Sequence, residues 1–403
     1  MLSNRAAQKE QAIPATRLVC LTSQSDWFCN LSTIKFLILP LTAGIMLYKA
    51  QRTLLIVLIL FGFTACNFHT EADMDDMDDM GGGEEKNIDY PAAYVVNGES
   101  NNIEVLNLND LSKKEQLSLN GATFPHHINI SPDKTKLAVA ITSTDLSGGH
   151  DSGGMGGMSG FKVMVLNSYT GKIEKELMLP KMPHNGVFSK DGSELWIAQE
   201  DEQQSQVLVY NTGNWSLKNT ILVGKGLSEV TFSADGTKVF AANTLDATVS
   251  IINPDTKTVL GTVAVGKDPV GAWPAANGFM YVDNETDGTV TEIAVVSSTV
   301  TETIPLGFKP GYGAYHPAQQ ELWVSDATNG KIVYYKEISG QWALQGSIIT
   351  GADAHAIAFS PDGATAYVTN QGANTVSVIK VADHIVTETI PVGKKPNGLA
   401  IRQ

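Results

Sequence analysis

Short runs of alternating apolar and polar residues recur along the chain from about residue 90 to its end. The clearest copy covers residues 354–393 and contains four such runs, separated by turn residues that include Ser360-Pro361-Asp362-Gly363. Alternation with a period of two predicts half-buried β-strands, and a unit of about 42 residues built from four strands is typical of a propeller blade. The pattern therefore predicts an all-β chain made of repeated four-stranded antiparallel blades.

The Ser-Pro-Asp-Gly turn identifies the other copies of this unit. In such a turn Pro sets φ, the Asp side chain accepts hydrogen bonds and Gly adopts positive φ. The matching segments are residues 130–133, 188–192, 232–236, 273–278 and 315–318. With the copy at 359–363 they make six complete units.

A seventh unit is divided between the two ends of the repeat region. Residues 396–401 have the pattern of an innermost strand with nothing after it, and residues 93–97 that of a second strand with no first strand before it. Joined, they complete one blade and close a ring that has only short, protected strand edges. We therefore predict a seven-bladed β-propeller over residues 89–403, closed by its N- and C-terminal strands, and a monomer.

The tetrapeptide Tyr367-Val368-Thr369-Asn370 follows the Ser-Pro-Asp-Gly turn and precedes Thr-Val-Ser-Val-Ile at residues 375–379. This combination resembles the YVTN-repeat β-propellers of bacteria and archaea, and the resemblance covers about residues 90–403. It implies the propeller fold. Members of that family include surface proteins, binding scaffolds and proteins with no known role, so the resemblance implies no particular activity.

Residues 46–65 have the features of an export signal. Lys49 and Arg52 precede the apolar run 54–61, and small residues lead to Cys66. A short apolar run with a basic flank is typical of a secretory signal, and the alternative is a membrane anchor left uncut. Ending on Cys, the segment resembles a bacterial lipoprotein signal, which implies that Cys66 is lipidated. Because Met46 directly precedes the signal, residues 1–45 are interpreted as an extension that the native protein lacks.

An acidic segment rich in Met and Gly follows over residues 66–88 and predicts an extended tether. Without residues 1–65 the chain keeps 22 Lys and Arg against 40 Asp and Glu. This balance, with no basic stripe, argues against nucleic acid as a partner. We therefore expect an exported propeller, attached to the membrane by its lipid, in the cell envelope at the outer membrane or cell surface.

Histidines recur where the innermost strands begin, on the face of the ring opposite the Ser-Pro-Asp-Gly turns. A long loop over residues 145–160 joins the second and third strands of the first complete unit on the same face. Imidazole together with thioether suits copper, especially Cu(I), so copper is the candidate cofactor. The candidate metal ligands are His126, His127, His184 and His355 at the strands and His150, Met155 and Met158 in the loop.

Three further polar residues, Asp326, Asn397 and Glu200, align with this face and are candidates for ligand contacts. The strand tryptophans Trp196, Trp273 and Trp323 are expected in the core between blades. The chain has no Gly-x-Ser-x-Gly, Cys-x-x-Cys-His or His-Glu-x-x-His motif. The sequence thus favours a scaffold that binds a protein, glycan or small ligand at its channel face. A copper-binding protein is the alternative, and an enzyme of the lactonase or quinoprotein-dehydrogenase type comes third.

Overall fold

The computed structural model describes residues 85–146 and 160–403. Over these two ranges the chain forms 28 β-strands in seven four-stranded antiparallel sheets, with single-turn 3-10 helices at Thr244–Asp246 and Val381–Asp383. No helix in this part of the chain is long and apolar enough to cross a membrane. The predicted all-β fold and seven four-stranded blades are confirmed.

Each blade runs from an innermost strand at the central channel to an outermost strand at the rim, and the strands are numbered in chain order. Blade 1 contains β28 (Pro396–Arg402), β1 (Ala92–Asn97), β2 (Asn102–Asn107) and β3 (Lys114–Ser118). Blade 2 contains β4 (Pro125–Ile130), β5 (Lys136–Ile141), β6 (Lys162–Asn167) and β7 (Ile173–Met178). Blade 3 contains β8 (Pro183–Phe188), β9 (Glu194–Gln199), β10 (Gln206–Asn211) and β11 (Leu217–Leu222).

The remaining four blades repeat this order around the ring. Blade 4 contains β12 (Leu227–Phe232), β13 (Val239–Asn243), β14 (Thr248–Asn253) and β15 (Thr258–Ala264). Blade 5 contains β16 (Pro269–Pro274), β17 (Phe279–Asn284), β18 (Thr289–Ala294) and β19 (Thr299–Pro305). Blade 6 contains β20 (Pro310–His316), β21 (Glu321–Asp326), β22 (Lys331–Ile338) and β23 (Gln341–Ile349). Blade 7 contains β24 (Ala354–Phe359), β25 (Thr365–Asn370), β26 (Thr375–Lys380) and β27 (Ile385–Pro391).

Burial falls from the second strand of a blade to its outermost strand. Strands β1, β9 and β21 are buried at every position, whereas β11 and β15 are exposed at almost every position. A second strand packs both its faces against neighbouring blades, so near-continuous apolar runs such as Ala-Ala-Tyr-Val-Val suit it. Outermost strands have one flank in water and carry polar residues on it. Hydrophobic contact between adjacent blades is therefore what holds the ring together.

Blade 1 is closed as predicted, because β28 pairs antiparallel with β1 in a register that sets Arg402 opposite Ala92. The Arg402 guanidinium is buried and donates hydrogen bonds to the Ser168 carbonyl, 2.7 Å away, and to the Tyr90 carbonyl, 2.9 Å away. It also lies 3.9 Å from the centre of the Tyr169 ring. The last strand of the ring is thus tied to blade 2 as well as to its own blade.

The Ser-x-Asp turns have the predicted chemistry. Ser189 donates its hydroxyl hydrogen to Asp191 at 2.6 Å, and the Ser193 amide donates to the same carboxylate at 3.1 Å. These hydrogen bonds, the Ser189 contact first, lower the pKa of Asp191 to about 2. Gly192 has φ of 72°, which explains why glycine recurs at the fourth position of the turn.

Candidate functional site

A cavity of about 200 Å³ opens at the channel face, on the side away from the Ser-x-Asp turns. Its walls come from the beginnings of the innermost strands of blades 2 to 7 and from the loops that follow the second strands. The comparison of the repeat units with one another predicts that these two kinds of segment lie on the same face of the ring. The residues that line this cavity include His126, His127, His184, Glu229, Val270, Trp273, Glu285, Lys309, Pro310, Tyr312 and His355.

A β-bulge near the start of the innermost strand points two successive side chains toward this cavity. In blade 2, Pro125 pairs with Ile141 but Ile128 pairs with Val139, so β4 contains one residue more than β5 over that stretch. Equivalent register shifts occur in the innermost strands of the other six blades. Bulges re-aim side chains in this way, which is why His126 and its neighbour His127 both line the cavity.

Three of the predicted ligands come together at the junction of blades 2 and 3. Suitable ligand atoms of His126, His127 and His184 all lie within 4.8 Å of one another. The imidazole centres are separated by 4.3 Å for His126 and His127, 4.7 Å for His126 and His184, and 4.9 Å for His127 and His184. His184 is fully buried and His126 nearly so. These three residues are called the histidine cluster below.

A carboxylate from blade 4 holds one member of the histidine cluster in place. Nε2 of His127 lies 3.1 Å from a carboxylate oxygen of Glu229, which is itself buried. With Nε2–H donated to Glu229, Nδ1 of His127 is the nitrogen whose lone pair can bind a metal. Metal-ligating histidines commonly donate their second ring nitrogen to a carboxylate, which fixes the tautomer and makes the imidazole more basic.

The opposite wall of the cavity is aromatic and acidic. The rings of Trp273 and Tyr312 are 3.7 Å apart between centres. A Cβ at Gly271 would lie 2.0 Å from the indole and one at Gly313 would lie 2.6 Å from it, so both glycines are needed to admit Trp273. The indole N–H donates to Asp283 at 2.7 Å.

The two carboxyl groups of this region are deeply buried, and this shifts their titration. Burial, followed by the nearby charge of Glu285, raises the pKa of Asp283 to about 7. Burial, followed by the charge of Asp283, raises the pKa of Glu229 well above its usual range. Burial also raises the pKa of the Tyr312 phenol, so this side chain stays protonated. A bound cation would favour the ionised carboxylates.

The fourth predicted strand histidine, His355, lines the cavity but stands outside the cluster. Its ring centre is 6.4 Å from that of His127, and its Nδ1 is 3.1 Å from the Asn397 carbonyl oxygen. The loop residues His150, Met155 and Met158 and the lipidation candidate Cys66 lie outside the described residues, as do residues 1–84 in general.

The three predicted ligand contacts Asp326, Asn397 and Glu200 do not line the cavity. Asp326 accepts hydrogen bonds from the Asn329 side chain at 2.8 Å and 3.0 Å, and the Asn397 amide donates to the Pro125 carbonyl at 3.2 Å. Burial, followed by the charge of Glu202, raises the pKa of Glu200. Asp326 and Asn397 thus have structural partners of their own.

Reasoning from the sequence missed Glu229, Asp283 and Tyr312 and expected Trp273 only in the core. Glu229 and Tyr312 occupy the second bulge position, the one that His127 occupies in blade 2, whereas the alignment had followed the first position. Reading both positions in every unit would have found them. Trp273 does pack in the core, and its ring also reaches the cavity.

Comparison with known proteins supports the fold. No protein family model matches the chain. A periplasmic gluconolactonase of Pseudomonas aeruginosa, PpgL, superposes with a TM-score of 0.63 at 19% identity, over 78% of this chain and 99% of that one. A putative 6-phosphogluconolactonase of Bacteroides fragilis gives 0.62 at 16% identity, over 79% and 99%. These superpositions establish a shared propeller fold, and at identities this low they establish the fold alone.

Two further similarities are more limited. Hydrazine synthase of Kuenenia stuttgartiensis superposes with a TM-score of 0.57 at 17% identity, over 68% of this chain and 88% of that one. A PE-PGRS family protein of Mycobacterium tuberculosis, PE_PGRS18, is 49% identical over 49 residues. That match spans 12% of this chain and 10% of the curated relative's length.

Proposed function

We propose that this propeller binds a divalent transition-metal ion at its channel face through His126, His127 and His184. The observation that carries the proposal is the convergence of three imidazoles, with ligand atoms within 4.8 Å of one another. In a tetrahedral site with metal–nitrogen distances of about 2.0–2.1 Å, ligand nitrogens are about 3.3 Å apart. The three rings would have to turn to bring their nitrogens from within 4.8 Å of one another to that spacing.

The donor set favours Zn²⁺ or Cu²⁺ over the Cu(I) suggested by the sequence. Imidazole suits zinc and copper, whereas thioether sulfur is the ligand that selects Cu(I); the cluster consists of three imidazoles, and Met155 and Met158 lie outside the described residues. The buried Glu229 and Asp283 also support a doubly charged ion, since each carboxylate is costly to ionise in isolation. A divalent cation stabilises both without an external counterion.

A binding scaffold is the second candidate, and the cavity itself favours it. Its volume of about 200 Å³ and its mixed polar and aromatic lining suit one small ligand or a single side chain of a partner. In either case we propose an exported protein of the YVTN-repeat type, anchored in the cell envelope by a lipid on Cys66. Replacing Cys66 with Ala should release the protein from membranes, and retention of the variant at the wild-type level would contradict the anchor.

Metal binding is tested by calorimetric titration of chelator-treated protein with Zn²⁺ and Cu²⁺. We expect one ion per chain, and His184→Ala should weaken binding at least about 100-fold, more than the loss of an outer hydrogen-bond partner does. The matched control is His384→Asn, because His384 stacks on Tyr334 away from the cavity and asparagine tolerates its φ of 54°. Equal affinity in the wild type and His184→Ala would refute the site.

A further inference from the structure

We infer that the proposed metal ion keeps one coordination position open to the cavity, and that a water bound there hydrolyses small uncharged carboxylic esters. This inference rests on the proposed metal site and adds an activity to it. It depends on where the ligands stand relative to the cavity, and on the character of the wall that faces them.

The three ligands approach from one side. His126 and His127 come from β4 and His184 from β8, whereas the other described lining residues come from blades 4 to 7, apart from Leu146 of blade 2. Within the described residues, the next imidazole is that of His355; its ring centre lies 6.4 Å from that of His127, and it is not among the residues whose ligand atoms lie within 4.8 Å of one another. Structural zinc sites have four protein ligands, whereas catalytic sites have three and leave the fourth position to water or substrate.

A water in that position is a nucleophile near neutral pH, because a bound divalent metal lowers its pKa from 15.7 to about 7. After the water has lost one proton to solvent, the hydroxide oxygen forms a bond to the ester carbonyl carbon. The carbon–alkoxide bond then breaks, and the leaving alkoxide takes a proton from water. The products are a carboxylic acid and an alcohol, and no atom changes its oxidation state.

The wall opposite the histidine cluster defines the substrate class. Val270, Pro310 and the adjacent rings of Trp273 and Tyr312, which are tilted by 34°, present apolar and aromatic surface to the cavity. At about 200 Å³ the cavity is smaller than the sites of roughly 300–1,000 Å³ that hold drug-sized ligands. A substrate with a short acyl chain therefore fits it.

The charged residues at the cavity restrict the class of substrate further. Glu229 lies in the wall and Asp283 directly behind the indole of Trp273, while the cationic Lys309 at the cavity is paired with Glu285 at 2.5 Å. Lys309 is the one lysine or arginine among the described residues that line the cavity, and Glu285 already pairs with it, so these residues offer an anionic substrate group no further cationic side chain of this kind. Neutral esters, open or cyclic, are therefore expected to enter, whereas a phosphate ester would lack a lysine or arginine partner in this wall.

The test measures hydrolysis of p-nitrophenyl acetate by the full-length chain loaded with Zn²⁺. We expect the rate to exceed that of the chelator-treated protein at least about tenfold and to rise with pH through about 7. p-Nitrophenyl phosphate and p-nitrophenyl dodecanoate should not be hydrolysed, the first because of its charge and the second because of its length. His384→Asn, whose side chain is remote from the cavity, should retain the wild-type rate.

Glu229→Gln examines how His127 is positioned. The amide of this variant would keep an acceptor for the His127 N–H but not the negative charge, so zinc affinity should fall about 10- to 100-fold, as it does when an outer partner of a ligand is lost. At saturating zinc, KM should stay constant while kcat falls, a separation that general destabilisation of the fold would not produce.

The outcomes distinguish the inference from the proposed function. If one Zn²⁺ binds tightly and His184→Ala abolishes its binding, but no neutral ester is hydrolysed faster than by the metal-free protein, the hydrolytic inference is wrong and the metal site stands. If no metal binds, both fail. Hydrolysis of the dodecanoate or the phosphate ester at the acetate rate would refute the substrate class drawn from the wall.

Discussion

The pKa of Asp283 provides a sharp test of the buried polar wall. Asp283 lies in β17, is fully buried, and accepts hydrogen bonds from the Trp273 indole at 2.7 Å and from the Gly271 amide at 3.0 Å. Both bonds reach Oδ1, and within the part of the chain that the structure describes nothing donates a hydrogen bond to the buried Oδ2. We perturb this carboxyl with Asp283→Asn, which keeps the shape and the Oδ1 acceptor but cannot ionise.

The sign of the effect follows from proton uptake. The pKa of Asp283 is about 7 in the folded protein against 3.8 for the free side chain. Between these values the folded state keeps a proton that the unfolded state has released, so the wild-type free energy of unfolding falls as pH rises through this window. A difference of about 3 pKa units corresponds to about 4 kcal/mol. The stability of Asp283→Asn minus that of the wild type should therefore rise by up to about 4 kcal/mol from pH 4 to pH 8.

Urea denaturation of metal-free wild type and variant across this pH range measures the difference. The control is Asp362→Asn in an exposed turn, where the Ser360 hydroxyl lowers the carboxyl pKa. That carboxylate stabilises the fold above its unfolded pKa of about 3.8 and loses its effect only as pH falls below this value, so the free-energy difference for Asp362→Asn should stay nearly flat between pH 4 and pH 8. If the free-energy difference for Asp283→Asn stays flat between pH 4 and pH 8, the carboxyl is solvated or ionised and the reasoning about this wall fails.

Two further predictions concern the closure of the ring and the loops before the innermost strands. Arg402→Met should lower the free energy of unfolding by about 1–3 kcal/mol, because it removes the guanidinium hydrogen bonds to the carbonyls of Ser168 and Tyr90, while the Tyr94 hydroxyl still donates to Ser168. A loss below about 0.5 kcal/mol in urea denaturation would contradict this role. Gly393→Ala should lower the free energy of unfolding by about 1–3 kcal/mol, because the new Cβ would lie 2.6 Å from Cγ of the buried Asn97. The control Gly261→Ala, whose Cβ would have nothing within 4 Å, should leave the stability unchanged. Equal melting temperatures of the two variants would show that the Asn97 contact does not matter.

The fold was predictable because each unit carries its own local signals. Alternating residues and Ser-x-Asp-Gly turns define strands and connections within about 42 residues, and repetition of the unit extends the prediction to the whole ring. The closure of blade 1 also follows from the pattern, since an unmatched strand at each end of the repeats has one possible partner. The burial of Arg402 could not be predicted, because its partners Ser168 and Tyr90 are remote in sequence.

The candidate site was predictable only in part. The histidines at the first bulge position were visible in the alignment, and His127 was found because it adjoins His126. Glu229, Tyr312 and Asp283 belong to different blades, and no local spacing links them to the histidines. Asp283 occupies a second strand, where the pattern indicates only that a residue is buried.

The sequence by itself thus determines the number of blades, their strand order and the face on which the histidines lie, because these depend on a local period and on repetition. Tertiary structure alone decides which of those histidines meet. The bulges turn His126 and His127 toward His184, while His355 stays outside, with its ring centre 6.4 Å from that of His127. Ring closure brings blades 2 to 7 around one cavity, and the burial that results sets the charge of its carboxyl groups. These distances and this burial arise only when all blades pack into the ring, so they cannot be predicted from the sequence of a single repeat.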